Sequence, residues 1–366
     1  MTSKERMMLA LNLEKPDRLP VTTMDLMPYW RKTEMNNLGV VECYKALGLD
    51  ASYFAPNPCY WPYDAAFSSE DWKVNVSSAK KDGEISLSYS FKTPKGTLTM
   101  KQAQNDITTW VTEHLIKNEE DIELLKYRPN ASFDKKLFEK MYDELGDAGI
   151  LRTGGFGFQE GCWQDACEMY GVENMIMATY DNPEWVHEFL GILLDQKLEF
   201  IENNFAGLKV DLVLTGGGAS SNTVISPKIH EEFCLPYDLK MNKAIQKIGH
   251  KVVYHTCGGM TKILDLIMKN ACDASESLSK NTIGGDVEDP SVVKNKFSGK
   301  VCMIGGFDQI QLLPNGTEEE ITKEVERLFN GFGLDGGYIM MTSDHFFDCP
   351  REKLEFYAKA ARSYAY

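Results

Sequence analysis

The sequence predicts an α/β fold: a (β/α)8 barrel of the TIM type with an N-terminal helical and β-hairpin elaboration. Short apolar, β-rich runs alternate with helical stretches over the C-terminal two-thirds, the pattern of repeated βα units on a parallel sheet. Eight strand candidates can be counted, the number that closes a barrel with its site on the loops after the strand C-termini. A chain of 366 residues also suits one closed barrel, since such barrels routinely exceed about 250 residues as single units. We therefore expect one barrel domain over residues 1–366.

The strand candidates, in order, are Leu19–Thr22, Ala51–Phe54, Ile150–Thr153, Asp211–Thr215, Lys251–His255, Cys272–Glu276, Val301–Gly305 and Gly337–Thr342. Helical patterns fall at Pro183–Asn203, Pro227–Ile248, Met260–Asn270 and Glu318–Asn330. Asn182-Pro183 and Ser226-Pro227 each place a capping residue before a proline at the first helical position. One stretch breaks the rhythm. Trp72–Val111 alternates apolar and polar residues around turns at Asp82-Gly83 and Pro94-Lys95-Gly96, which predicts inserted hairpins.

Composition narrows the function classes. Lys plus Arg number 39 against 54 Asp plus Glu, a net charge of −15, which disfavours binding to phosphate backbones or anionic lipid. No apolar run approaches the roughly 18 residues of a membrane-spanning helix, and the first residues lack a signal-peptide apolar region. A cytoplasmic protein with no nucleic-acid or membrane partner is expected. Nine scattered cysteines, with no CxxC pair, read as thiols and not as a disulfide framework.

The most informative stretch is HKVVYHTCGGM, His250–Met260. Residues i and i+2 of a strand end point the same way, so the His255 imidazole and the Cys257 thiolate can reach one metal ion. On two ligands alone, a core histidine beside a buried thiol is the better reading, because zinc takes three protein ligands or more. The last strand candidate runs into Ser343-Asp344-His345-Phe346-Phe347-Asp348-Cys349-Pro350. There His345, or as a fallback Cys349, can face His255 and Cys257 across the barrel mouth as a third ligand. Cys349 is otherwise expected to cap the helix starting at Pro350, which leaves His345 as the functional group. Glycine-rich loops at 153–158, 215–218 and 304–308 follow strands without any Walker or dinucleotide fingerprint. They read as space for a substrate or a neighbouring loop. Glu160 is a candidate acid–base group. Trp61, Phe156, Trp163 and Asp308 are candidate substrate-binding residues, although each aromatic taken singly reads equally well as packing.

The chain resembles the uroporphyrinogen decarboxylase superfamily, and within it the cobalamin (corrinoid)-dependent methyltransferases. The resemblance runs through KPDRLPV (Lys15–Val21), Asn182–Leu190, SPKIHEEFCLPY (Ser226–Tyr237) and VVYHTCGGM. It continues through ESLSKNTIGGDV (Glu276–Val287), KVCMIGGFDQIQLLPNGTEEE (Lys300–Glu320) and YIMMTSDHFFDCPREKL. The Arg-rich propionate clamp of the decarboxylases is missing; that region reads TTMDLMPYWRKTEM. The methyltransferase branch carries zinc on a His-x-Cys strand end, matched by His255 and Cys257. Its further cysteine after the last strand has no counterpart closer than Asp344-His345 or the later Cys349.

The resemblance implies transfer of a methyl group from a small methylated donor to the cob(I)alamin of a separate corrinoid protein. Zinc would act as Lewis acid, Glu160 would supply a proton or orient the donor, and a methoxylated aromatic is the leading donor class. The alternatives are a methylcobalamin:thiol methyltransferase, a uroporphyrinogen decarboxylase, and a corrinoid-binding scaffold without catalysis. A homodimer stays open.

Overall fold

The computed structural model describes residues 1–55, 68–81, 83–130, 134–154 and 160–366. The first strand, β1 (Ala51–Phe54), precedes the inserted segment, which holds β2 (Lys73–Lys81), β3 (Glu84–Thr93), β4 (Gly96–Gln104) and β5 (Thr109–Glu113). These four form an antiparallel sheet in the order β2-β3-β4-β5, on the stretch whose alternation predicts it. The turn at Pro94-Lys95 is closed by the Thr93 hydroxyl, which accepts from the Lys95 and Gly96 N–H groups. One face of this sheet buries Val74, Phe91, Leu98 and Met100 in the main core. Asp82, expected in the first turn, lies outside the described residues.

The remaining strands are β6 (Gly149–Thr153), β7 (Leu212–Gly216), β8 (Lys251–His255), β9 (Ala274–Ser277), β10 (Cys302–Phe307) and β11 (Tyr338–Thr342). With β1 they form a seven-stranded sheet in the order β1-β6-β7-β8-β9-β10-β11, parallel at every pairing. The expected strand at Leu19–Thr22 closes the ring in reduced form. Val21 bridges Met340 in parallel, the Met340 N–H donates to Pro20 O, and the Asp50 N–H donates to Val21 O. It stays a bridge because Pro20 has no N–H to give and the Val21 N–H goes to the Asp50 carboxylate at 3.0 Å. The fold is the TIM-type barrel with its N-terminal elaboration.

The KPDRLPV stretch owes its make-up to this closure. Arg6 pairs with Asp17 at 2.7 Å and with Asp50 at 2.8 Å, and Arg18 pairs with Asp50 at 2.9 Å. Asp50, fully buried, thus ties the opening helix Ser3–Leu11 to the bridging segment.

Strand periodicity fills the barrel. Ile150, Leu212, Leu214, Val253, Ala274, Cys302, Ile304, Ile339 and Met341 point inward and pack with Met7, Ala10 and Leu11 of the opening helix, which plugs one end. Their strand neighbours, such as Leu151, Val213, Tyr254 and Met340, pack outward into the helical layer. Two residues further along the inward rows come Arg152, His255 and Glu276, so the same period of two carries polar groups into the opposite, C-terminal mouth. Around the barrel, the Asn182 side chain accepts from Trp185 N–H and the Ser226 hydroxyl accepts from Ile229 N–H, as the cap signals predict. Cys349 does not cap. The last helix runs Arg351–Arg362 with Pro350 at its N-cap, and the Arg351 N–H donates instead to the Glu34 carboxylate. Among the described residues no helix is long and apolar enough to cross a membrane.

Candidate active site

The C-terminal ends of β8 and β11 meet in one cluster. Ligand atoms of His255, Cys257 and Asp344 all lie within 4.8 Å of one another. Of the described cysteines, Cys257 alone is exposed, and the others are buried. Its position depends on two neighbouring loops. A Cβ on Gly218 would sit 2.6 Å from the Cys257 sulfur, so the glycine-rich loop after β7 leaves room for the thiol. The turn after Cys257 is pinned by Asp286, which accepts from the Met260 and Thr261 N–H groups, and by the Thr223 hydroxyl, which accepts from Gly259 N–H.

His255 is oriented from behind. Its Nδ1 lies 3.0 Å from Oε1 of Glu276, whose Oε2 lies 2.5 Å from Nη2 of Arg152. All three sit in the barrel interior, with Glu276 and Arg152 essentially inaccessible. Burial acts to lower the His255 pKa, but the Cys257 thiol and the Glu276 carboxylate outweigh it and hold the imidazole well above its ordinary value. Burial acts to raise Glu276, yet Arg152 and His255 keep its carboxyl below the usual range. A carboxylate on Nδ1 leaves Nε2 directed at the cluster, the arrangement that fixes the tautomer of metal-ligating histidines.

A cavity of about 330 Å³ opens beside the cluster, at the low end of the ~300–1,000 Å³ that ligand pockets occupy. Its lining includes Asp25, Phe54, Glu160, Leu214, His255 and His345. Glu160 is accommodated by Gly154, where a Cβ would meet its carboxylate oxygen at 2.4 Å. Burial raises the Glu160 carboxyl above its ordinary value.

The expected site residues distribute unevenly. His255, Glu160 and His345 line the cavity, with Cys257 beside His255. The third member of the metal-competent cluster is Asp344, one residue before His345. Asp344 Oδ1 takes the His345 N–H at 2.7 Å, and His345 Nε2 stands 4.0 Å from that same oxygen. Cys349, the fallback ligand, is buried. Its sulfur contacts Pro350 O, and burial pushes its thiol up to about 12. Trp163 is buried with its indole N–H donating to Ala219 O, and Asp308 accepts from Ile310 N–H, Gln311 N–H and the Thr282 hydroxyl. Neither lines the cavity. Trp61 and Phe156 lie outside the described residues.

Sequence reading passed over Asp25, Arg152 and Glu276. The last two left a signal: a charged residue inside an apolar strand at inward parity. Asp25 left none, since it stands between segments whose meeting only the closed barrel brings about.

Residues 98–364 match the model of the uroporphyrinogen decarboxylase (URO-D) family. The chain belongs to that family. Among relatives, a methylated-thiol–coenzyme M methyltransferase of Methanosarcina mazei is 24% identical over 193 residues, 52% of this chain and 48% of that protein. The chain thus spans about half the length of that relative. A methylcobamide:CoM methyltransferase MtbA from the same organism is 24% identical over 276 residues, 70% of this chain and 72% of that protein. A solved methyltransferase from M. mazei superposes over 99% of both chains with a TM-score of 0.69 at 15% identity, a likeness of fold. Both sequence relatives bear methyltransferase names, in keeping with the branch that the missing arginine clamp predicts.

Proposed function

We propose that this protein is a corrinoid-dependent methyltransferase that moves a methyl group between the cobalt of a corrinoid on a separate protein and a small thiol. The observation that carries the reading is the His255–Cys257–Asp344 cluster, with the Glu276 carboxylate behind His255. Its donor set of imidazole, thiolate and carboxylate fits zinc, and three protein ligands leave a fourth position for substrate. Zinc bound there would act as Lewis acid and stabilise an incoming thiolate.

The preference for a methoxylated aromatic donor gives way here to the thiol alternative. Both curated relatives carry thiol or CoM transfer in their names, and a soft thiolate suits a metal already carrying one cysteine sulfur. In the direction of thiol methylation, the sulfur lone pair attacks the methyl carbon. The Co–C electron pair stays on cobalt, giving cob(I)alamin and a thioether. The thiol proton leaves before attack, and Glu160, whose carboxyl burial makes more basic than usual, is the group in the cavity suited to take it. Asp344 and Cys257 stand beside His255 as the other groups able to hold the metal, and Glu276 with Arg152 keeps the imidazole from turning.

The test is zinc-loaded protein with methylcobalamin and a panel of short thiols, followed by cobalt spectra and thioether analysis, with methoxyarenes and cob(I)alamin as the opposing panel. Thioether formation dependent on His255 and Cys257 is expected. Turnover with methoxyarenes alone would return the reading to O-demethylation, and no turnover in either panel would end it.

A further inference from the structure

The inserted sheet carries a charge pattern that its own strands do not resolve. Val74, Phe91, Leu98 and Met100 commit one of its faces to the core, so the residues alternating with them face outward. On that outward face the register sets Lys81 opposite Glu84 and Lys101 opposite Glu113, two pairs of opposite sign. Lys73 and Lys92 instead stand opposite each other. Both are exposed, and no carboxylate among the described residues forms an ion pair with either. Like charges in direct register destabilise a sheet. Trp110, paired with Ala103, lies on the same face and is 38% exposed.

The complement lies beside the sheet. The segment leaving β5 is tied to the neighbouring helices, since the Ile116 N–H donates to Met169 O and the Glu119 carboxylate accepts the Asn182 side-chain amide at 2.9 Å. These two anchors bracket the helix Val172–Asp181. It exposes Met177 at 57% and Tyr180 at 70%, the two most exposed large hydrophobic side chains among the described residues. The helix contains no lysine or arginine, and Glu173 and Asp181 at its ends form no ion pair among the described residues.

We propose that sheet and helix form one self-complementary surface, on which a second copy of this chain docks about a two-fold axis. Such a contact uses the same patch on both copies, so it needs both signs of charge within one patch. Here the Met177 and Tyr180 stripes pack together at the centre, and Lys73 and Lys92 of each copy meet Glu173 and Asp181 of the partner subunit. The outward face of the sheet measures about 30 Å by 14 Å, and the helix adds a strip about 15 Å long. Together they have the order of the ~800 Å² that each partner gives to a standard interface. Exposed apolar surface rimmed by charge marks interaction sites on soluble chains. The net charge of −15 on each copy does not oppose the contact: charges further apart than about 10 Å are screened at ~0.1 M salt, and those that face each other differ in sign. An extended polyanion or an anionic membrane drawn by the lysines would meet the carboxylates of the helix beside them.

Analytical ultracentrifugation of the full chain at micromolar concentration tests this. The wild type is expected to sediment as a dimer. Substituting both apolar positions, Met177→Ser with Tyr180→Ser, should weaken association by at least about tenfold. Two charge-reversed variants, Lys73→Glu with Lys92→Glu and Glu173→Lys with Asp181→Lys, should each weaken it by a similar factor. Mixed together, these two variants should associate again as a heterodimer, because each then offers the charge that the other lacks. All the substituted side chains are exposed, and unchanged unfolding midpoints confirm that the variants fold. A monomeric wild type overturns the proposal and gives the surface to another partner. A dimer indifferent to the apolar and charge-reversed substitutions overturns it by placing the interface elsewhere. Failure of the mixed variants to associate overturns the pairing of lysines with carboxylates.

Discussion

Glu276 and His255 stand side by side on β9 and β8, with Oε1 of the carboxylate 3.0 Å from Nδ1 of the imidazole. The parallel register pairs these two residues directly, and the inward parity of both strands turns their side chains into the barrel. The contact therefore comes from strand register, and it positions the ring for anything bound at Nε2. Removing the carboxylate's charge without removing its bulk isolates that role. Glu276→Gln should weaken zinc binding by roughly 10–100-fold, the usual loss for an outer-shell partner of a metal-bound histidine. Competition against a chromophoric chelator measures it. Unchanged zinc affinity would mean that the contact serves packing only.

The same pair governs stability. Glu276→Ala leaves the buried Arg152 guanidinium without its carboxylate, and stranding one member of a buried ion pair costs about 3–5 kcal/mol. Denaturant unfolding of this variant should fall well below that of Glu276→Gln, which keeps an oxygen for Arg152.

Metal content should separate the candidates for the third ligand. His255→Ala, Cys257→Ala and Asp344→Ala are expected to lose bound zinc, while His345→Ala and Cys349→Ala retain it. Metal analysis after dialysis reads the result. Loss in His345→Ala with retention in Asp344→Ala would move the ligand by one residue along the loop.

Asp238 gives the fold a pH dependence away from the site. It is buried on the helix Leu235–Lys247 and accepts the Tyr254 hydroxyl at 2.8 Å. Burial raises its pKa from 3.8 to about 7, against smaller opposing effects of Tyr254 and Lys197. Between those values the unfolded chain has released the proton that the folded chain still holds, so stability falls as pH rises, by about 1.4 kcal/mol per unit. Asp238→Asn keeps an acceptor for Tyr254 and lacks the titration. Its unfolding free energy should exceed its pH 4 value relative to wild type progressively up to pH 7; parallel profiles would refute the assignment.

Asp50 is the keystone of barrel closure, facing Arg6, Arg18 and the Val21 N–H. Asp50→Ala should destabilise the fold by about 3–5 kcal/mol, seen as a lower denaturation midpoint. A loss under about 1 kcal/mol, the scale of an exposed pair, would show that closure rests on packing alone.

Much of this was legible along the chain. Seven parallel strands, the bridging segment at Val21, the inserted hairpins and the caps at Asn182 and Ser226 are local patterns, set by side-chain period and backbone chemistry within a few residues. The convergence of His255 with Cys257 is equally local, because i and i+2 at a strand end share a direction. The cap expected at Cys349 failed for a reason outside that window: Glu34, more than 300 residues earlier, takes the N–H that Cys349 was expected to satisfy. The selection of Asp344 for the cluster, the Glu276 support behind His255 and the acidic lining at Asp25 share that origin. Each joins segments far apart in sequence, and their meeting is set by strand register and by closure of the ring through Val21. Sequence alone determined which residues could bind a metal. The tertiary structure decided which of them meet, because distance in a barrel is measured around the sheet and not along the chain.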